Sequence, residues 1–207
     1  MSRGYPSRVF TSLCSVIAIG LAALVLGFGA PVGFLAWLTL VASMAGAWMG
    51  PWSRSWRAWT PPLAWGLALL MTRGLPMPWM AALAIASLYA IGMGLGSWLP
   101  RERAAGSCLL LVAALSLAPT FGGHLERPLP PAVTARLLDL SPVAWTLESA
   151  GVDWMRHPAV YEAAGTANID PSMRTQHRNW LAAATLLVVG CLLALSSKTR
   201  TLGSTET

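Results

Sequence analysis

The residues best equipped for chemistry cluster in one short stretch, "GVDWMRHPAVYEAAGT", residues 151–166. It sets Asp153, Arg156, His157 and Glu162 among Trp154, Met155 and Tyr161, in a chain that is 55% hydrophobic and 11% charged. Asp153 and His157 stand four apart, so one helical turn could pair a carboxylate with an imidazole. His124 and His177 complete the histidines, but all three are spread over some fifty residues and no tight ligand motif such as HExxH occurs. Ser141 lacks the Gly-x-Ser-x-Gly turn of a serine nucleophile. Cys14, Cys108 and Cys191 all fall in apolar runs and form neither a disulfide framework nor a zinc spacing. The expectation is therefore no catalytic residue, no metal site, no cofactor and no enzyme. Solvated or hydrogen-bonded loop histidines fit this pattern better than a ligand set.

The elements around this stretch explain why its charges are concentrated there. Mean hydropathy is +0.57, and charge is absent from Val9–Ser53, Ala58–Thr72, Gly74–Pro100, Ala104–Gly123 and Asn179–Ser197. A membrane span needs about 20 mostly apolar residues. The first run is about twice that, and Gly29-Ala30-Pro31 divides it. Six spans result, near 9–29, 32–50, 58–73, 77–99, 105–121 and 180–196, and the third is the shortest. The first is expected to be a retained anchor, because Phe28 and Pro31 suit no signal-peptide cut after Ala30. The fold class expected is all-α, a polytopic membrane protein of six transmembrane helices. Residues 1–121 form five of them, 122–179 an extracytoplasmic helical segment, and 180–207 the sixth with a short cytoplasmic tail.

Orientation follows from basic residues in short loops. With the N-terminus inside, Arg3, Arg8, Arg54, Arg57, Arg101, Arg103, Lys198 and Arg200 are all cytoplasmic, and the short outer loops hold only Arg73. Both termini are then cytoplasmic, in the plasma (inner) membrane. The formal net charge of +6 is explained by topology rather than by a nucleic-acid partner. Trp48, Trp52, Trp56 and Trp98 fall at inner boundaries, Trp79 and Trp180 at outer ones, as in an aromatic belt. In "WSRSWRAW", Trp52, Trp56 and Trp59 are spaced i, i+4, i+7. A short helix lying in the inner interface and an interfacial loop with anchors both fit. Ala82, Ala86, Ala90 and Gly94 recur at i+4 steps beside Gly92-xxx-Gly96, a pattern that lets helix backbones approach closely. Packing within one subunit is the simpler reading, dimer contact the sharper one.

Segment 122–179 carries six of the eight acidic residues. Val133, Leu137, Leu138 and Leu140 predict one short helix. Ser141 as N-cap and Pro142 in the first turn predict a second, ending at Gly151. A third element follows, broken near Pro158. No span holds an ionisable residue at mid-depth, which argues against ion-coupled transport and intramembrane proteolysis.

"YAIGMGLGSWLPRERAAGSCLLLVAALSL" and "LLDLSPVAWTLESAG", with "AGVDWMRHPAVYEAAGT" after it, resemble the permease subunits of type-2 ATP-binding-cassette exporters. The layout is similar over most of residues 9–196 and the motifs over about 89–166. The tight join between spans one and two and the short third span depart from that family. The resemblance implies a subunit forming part of a substrate path across the membrane. A cytoplasmic ATP-binding subunit would drive it and a second permease subunit would pair with it, since this chain has no phosphate-binding G-x-x-x-x-G-K-[ST] loop. It implies ATPase contacts at Arg54, Arg57, Arg101, Glu102 and Arg103. It implies an outer cap carrying Pro142, Glu148, Asp153, Trp154, Arg156, His157 and Tyr161. The alternative is a non-transporting integral membrane protein whose extracytoplasmic segment binds a partner or envelope component.

Overall fold

Proline stands at the first position of four helices, where its missing N–H leaves no intrahelical bond unmade and its fixed φ suits the turn. The computed structural model describes residues 31–72, 74–122, 131–152 and 179–196. The helices are α1 (Pro31–Met49), α2 (Thr60–Met71), α3 (Pro78–Trp98), α4 (Arg101–Gly122), α5 (Pro131–Leu140), α6 (Pro142–Ser149) and α7 (Asn179–Ser196), and no strand occurs among the described residues. The protein is all-α. The expected first span (9–29), Arg73, the three histidines, Asp153, Trp154, Arg156, Tyr161 and the basic tail lie outside the described residues.

Among the described residues two helical stretches, Val32–Trp52 and Pro78–Trp98, are long and apolar enough to cross a membrane; Leu181–Ser196 is apolar but shorter. At 12 residues, α2 extends only about 18 Å. It begins with Pro61 and Pro62 buried in its first turn. α4 starts at Arg101, four residues before the expected boundary, because Pro100 ends the preceding turn and Glu102 suits the positive end of a new helix.

α3 is the hub, packed against α1, α2, α4 and α7. Two of these contacts are made by backbone. A Cβ on Gly92 or Gly96 would fall on the carbonyl oxygen of Ser43 or Ala47 in α1. One on Gly46 would fall on Tyr89 O, and one on Gly50 on the backbone at Gly96. The seam runs 43 against 92 and 47 against 96, so α1 and α3 are parallel. On another side of α3, a Cβ on Gly190 would meet the backbone of Ala90 and Ile91, and one on Gly94 would lie 2.7 Å from Leu193 Cβ and 3.0 Å from Gly190 O. α7 therefore also runs parallel to α3. α4 returns in the opposite sense, its Ala104, Ala105 and Cys108 packing on Ala47 near the end of α1.

Beside these seams lies a larger apolar cluster. Leu35, Leu38, Leu69, Ile85, Tyr89 and Met93 are almost wholly buried in it. Leu147 of α6 and Ala150, which follows its last residue, join the same cluster, so α6 is a packed part of the bundle rather than a solvated connection.

Candidate functional site

The connection Gly50–Trp59 is not one helix. It makes two 3-10 turns, Gly50–Trp52 and Trp56–Trp59, split by Ser55 in extended conformation. Ser55 Oγ accepts from Arg57 N at 3.4 Å, which caps the second turn. The break disperses the expected tryptophan face. Trp52 and Trp59 are half-buried against the core, whereas Trp56 is 73% exposed.

This connection is tied down at two points. The Tyr89 hydroxyl donates to Ala58 O inside the core, with the rings of Trp59 and Trp65 around it at 6.3 and 6.0 Å. At the other point it meets the last turn of α7. Leu193 O accepts from Trp98 Nε1 at 2.9 Å, Ala194 O from Ser53 Oγ at 3.4 Å, and Leu195 O from Arg54 Nη2 at 3.4 Å.

Arg101 lies where α4 begins, against the end of α1. Its guanidinium stands 5.4 Å from the Trp48 ring and 5.8 Å from the Trp52 ring, within range of a cation–π contact with both. Arg101 Nε is 3.6 Å from Glu102 Oε1. Arg57 stands 6.0 Å over the Trp56 ring, and Arg103 is exposed. The parallel course of α1, α3 and α7 brings all these residues to one end of the bundle. Arg54, Arg57, Arg101, Glu102 and Arg103, from two connections some forty residues apart, thus share one surface.

At the opposite end sits α6. Ser141 Oγ accepts from Ala144 N at 3.3 Å and is the N-cap, with Pro142 half-buried in the first turn. The helix closes on Gly151 at φ +75°, a conformation that costs a residue with a Cβ about 1–2 kcal/mol. Val152 N bonds to Leu147 O at 3.0 Å, and Met77 N to Ala150 O at 2.9 Å. The second of these fastens α6 to the turn before α3. Glu148 is half-buried on this helix. The other expected cap residues, Asp153, Trp154, Arg156, His157 and Tyr161, lie outside the described residues.

The helix-packing residues divide between partners. Gly92 and Gly96 face α1, Ala90 and Gly94 face α7, and Ala82 faces Gly66 of α2. Ala86 is half-buried. Sequence reasoning passed over Gly46-xxx-Gly50, which carries the same spacing signal and is the other half of the α1–α3 seam. It also passed over Ser53, Tyr89 and Trp98, whose hydrogen bonds span 31 to 141 residues and leave no local pattern. Among the described residues no three of His, Cys, Asp and Glu come together as a metal set. No family model matches the chain, and neither a curated protein nor a solved structure does.

Proposed function

We propose that the chain is the permease subunit of an ATP-driven transporter, crossing the inner membrane six times with both termini in the cytoplasm. The observation that carries this reading is the polarity of the bundle. Arginines from two separate connections gather at one end, and the packed helix α6 closes the other. The arginine end is cytoplasmic by the positive-inside rule, and it is the surface on which a separate ATPase docks. ATP hydrolysis belongs to that partner. Residues 1–121 and 180–207 form the membrane part, and 122–179 the outer segment whose helices cap the path. A second permease subunit meets a face other than the glycine faces of α3, since α1 and α7 occupy those. The exposed leucines of α2 (Leu63, Leu67, Leu70) or α4 (Leu110, Leu111, Leu117) are the available surfaces.

The test is co-purification with a cassette-type ATPase encoded beside this chain. Association that survives solubilisation and is lost in the Arg101→Glu/Arg103→Glu double variant supports the reading. Failure of the wild-type chain to bind that ATPase, or to stimulate its hydrolysis, sinks it.

One observation favours the second reading, a non-transporting membrane protein that presents its outer segment to a partner. The small-residue seams of α3 are filled from within the same chain, which makes a self-contained bundle. Such a protein would remain monomeric in the membrane, whereas the permease is paired.

A further inference from the structure

α2 does not begin at the level where α1 and α3 end. The 3-10 turn Trp56–Trp59 runs straight into it, because Trp59 and Thr60 both hold helical backbone angles. Three close approaches set this part of the chain against α3. A Cβ on Gly50 would fall on the backbone of Gly96 and Ser97, Ala58 O accepts from the Tyr89 hydroxyl, and a Cβ on Gly66 would stand 3.7 Å from Ala82 Cβ. Between Gly50 and Ala58 the chain therefore climbs α3 from its last turn to the level of Tyr89, about 13 Å along the axis from Trp98. With 21 residues, α3 is about 31 Å long and matches the hydrocarbon thickness of a bilayer. Trp98 then marks the inner edge of that layer, and the Arg57 backbone stands about 10 Å inside it. Arg101 and Arg103 follow the end of α3 and stay at the edge.

An arginine at that depth is costly unless it meets an anion or reaches back to the headgroups. Arg57 is exposed and lies 6.0 Å over the Trp56 ring. Following the helical rotation from the 3-10 turn into α2, the same side of the run carries Leu63, Leu67 and Leu70, all exposed, whereas Ala58, Trp65 and Leu69 on the other side are buried. Charge lies toward the cytoplasm and the apolar row toward the midplane, the order in which an inner-leaflet lipid presents headgroup and chain. We propose that Trp56 and Arg57 bind the headgroup phosphate of an anionic phospholipid of the inner leaflet, whose acyl chain lies along Leu63, Leu67 and Leu70. The guanidinium edge matches two phosphate oxygens, and the indole covers its flat face. The arginine stem reaches toward the headgroups, and the lipid sinks to meet it, the local thinning that a short span induces. A protein approaching from the cytoplasm meets exposed Arg103 before it reaches this depth. The inference rests on the membrane placement proposed above and is independent of the ATPase.

The experiment places the full chain in nanodiscs of phosphatidylcholine and phosphatidylglycerol at about 3:1 and counts retained lipids by native mass spectrometry. The wild type is expected to retain phosphatidylglycerol about fivefold above its input share, as one positioned arginine would give. Arg57→Gln should return retention to the input share, and Trp56→Leu and Leu67→Gln should each lower it. Arg103→Gln should leave it unchanged, and millimolar inorganic phosphate should not displace the lipid. Thermal midpoints in detergent establish that each variant is folded. Retention in Arg57→Gln equal to wild type overturns the site, as does an equal fall in Arg57→Gln and Arg103→Gln, which is diffuse surface charge. Unchanged retention in Leu67→Gln, or displacement by phosphate alone, overturns the seat of the acyl chain. Release of the chain from membranes by alkaline carbonate overturns the membrane placement itself, whereas an integrated chain without enrichment overturns the site alone.

Discussion

Gly92→Ala tests the α1–α3 seam with a single methyl group. The added Cβ would fall on the Ser43 carbonyl oxygen, 2.7 Å from the carbonyl carbon and 2.9 Å from Cα. An ordinary C···O approach is about 3.3 Å or more, so the helices must part by roughly 1 Å. The obstructing atoms are backbone and cannot rotate aside as a side chain would. Overpacking of this kind costs about 1–3 kcal/mol, and the rigid obstacle places Gly92 in the upper half of that range. Better helix propensity returns up to about 1 kcal/mol, leaving a net loss near 2 kcal/mol. For a chain of this size that lowers the thermal midpoint by about 4–8 °C. Gly106 of α4 is the built-in control, because a Cβ there meets nothing within 4 Å and Gly106→Ala keeps only the propensity gain. Both variants are melted in the same detergent, followed by tryptophan fluorescence and far-UV circular dichroism. A Gly92→Ala midpoint within about 1 °C of Gly106→Ala would refute backbone contact as the basis of the seam.

Other consequences can be checked as directly. Tyr89→Phe leaves the buried Ala58 carbonyl without its donor and should cost about 1–3 kcal/mol in a chemical unfolding titration. Trp98→Phe keeps an aromatic ring but removes the indole donor to Leu193 O, leaving that carbonyl the hydroxyls of Ser196 and Ser97. It should cost about 0.5–1.5 kcal/mol and speed proteolysis near residue 196. Gly151→Ala forces a Cβ into a left-handed residue and sets it 3.0 Å from Pro76 Cβ. It should loosen α6, read as faster labelling of a cysteine placed at the buried Ser149. In intact cells a cysteine at His157 should react with an impermeant reagent from outside, and one at Glu102 only after the membrane is opened. The reverse pattern would invert the proposed topology.

Local signals written in the sequence translate directly into structure. Ser141-Pro142 reads as a cap and first turn and Gly151 as a stop, because each is decided by the φ of one residue or the loss of one N–H. Apolar runs between charges likewise locate α1, α3 and α7. For the connection 50–59 the sequence leaves helix and anchored loop both open, because a helical spacing of tryptophans is no proof of a helix. Extended Ser55 breaks it, and the ties to Tyr89 and α7 favour two tight turns over one smooth one. The small residues of α3 are legible as contact surface, but not which partner each face takes. Gly92 and Gly94 differ by two positions, about 200° around the axis, and so belong to different neighbours. The arginines are legible as one class. Only geometry separates Arg101, held against two rings, from exposed Arg103.

The capture of α7 by residues 53, 54 and 98 also bears on the order in which the chain can be completed. α7 leaves the ribosome after the other described helices, and its groove on α3 is made by residues synthesised about a hundred positions earlier. Until it arrives, Gly94 and Ala90 face an empty slot and the Trp98 indole lacks its carbonyl. Early helices can pair as they emerge, Gly46 and Gly50 with Gly92 and Gly96, but the hub closes only once α7 has been made. A nascent chain stalled before residue 179 is therefore an unfinished bundle with an open polar groove, the kind of surface by which membrane quality control can tell a truncated product from a whole one.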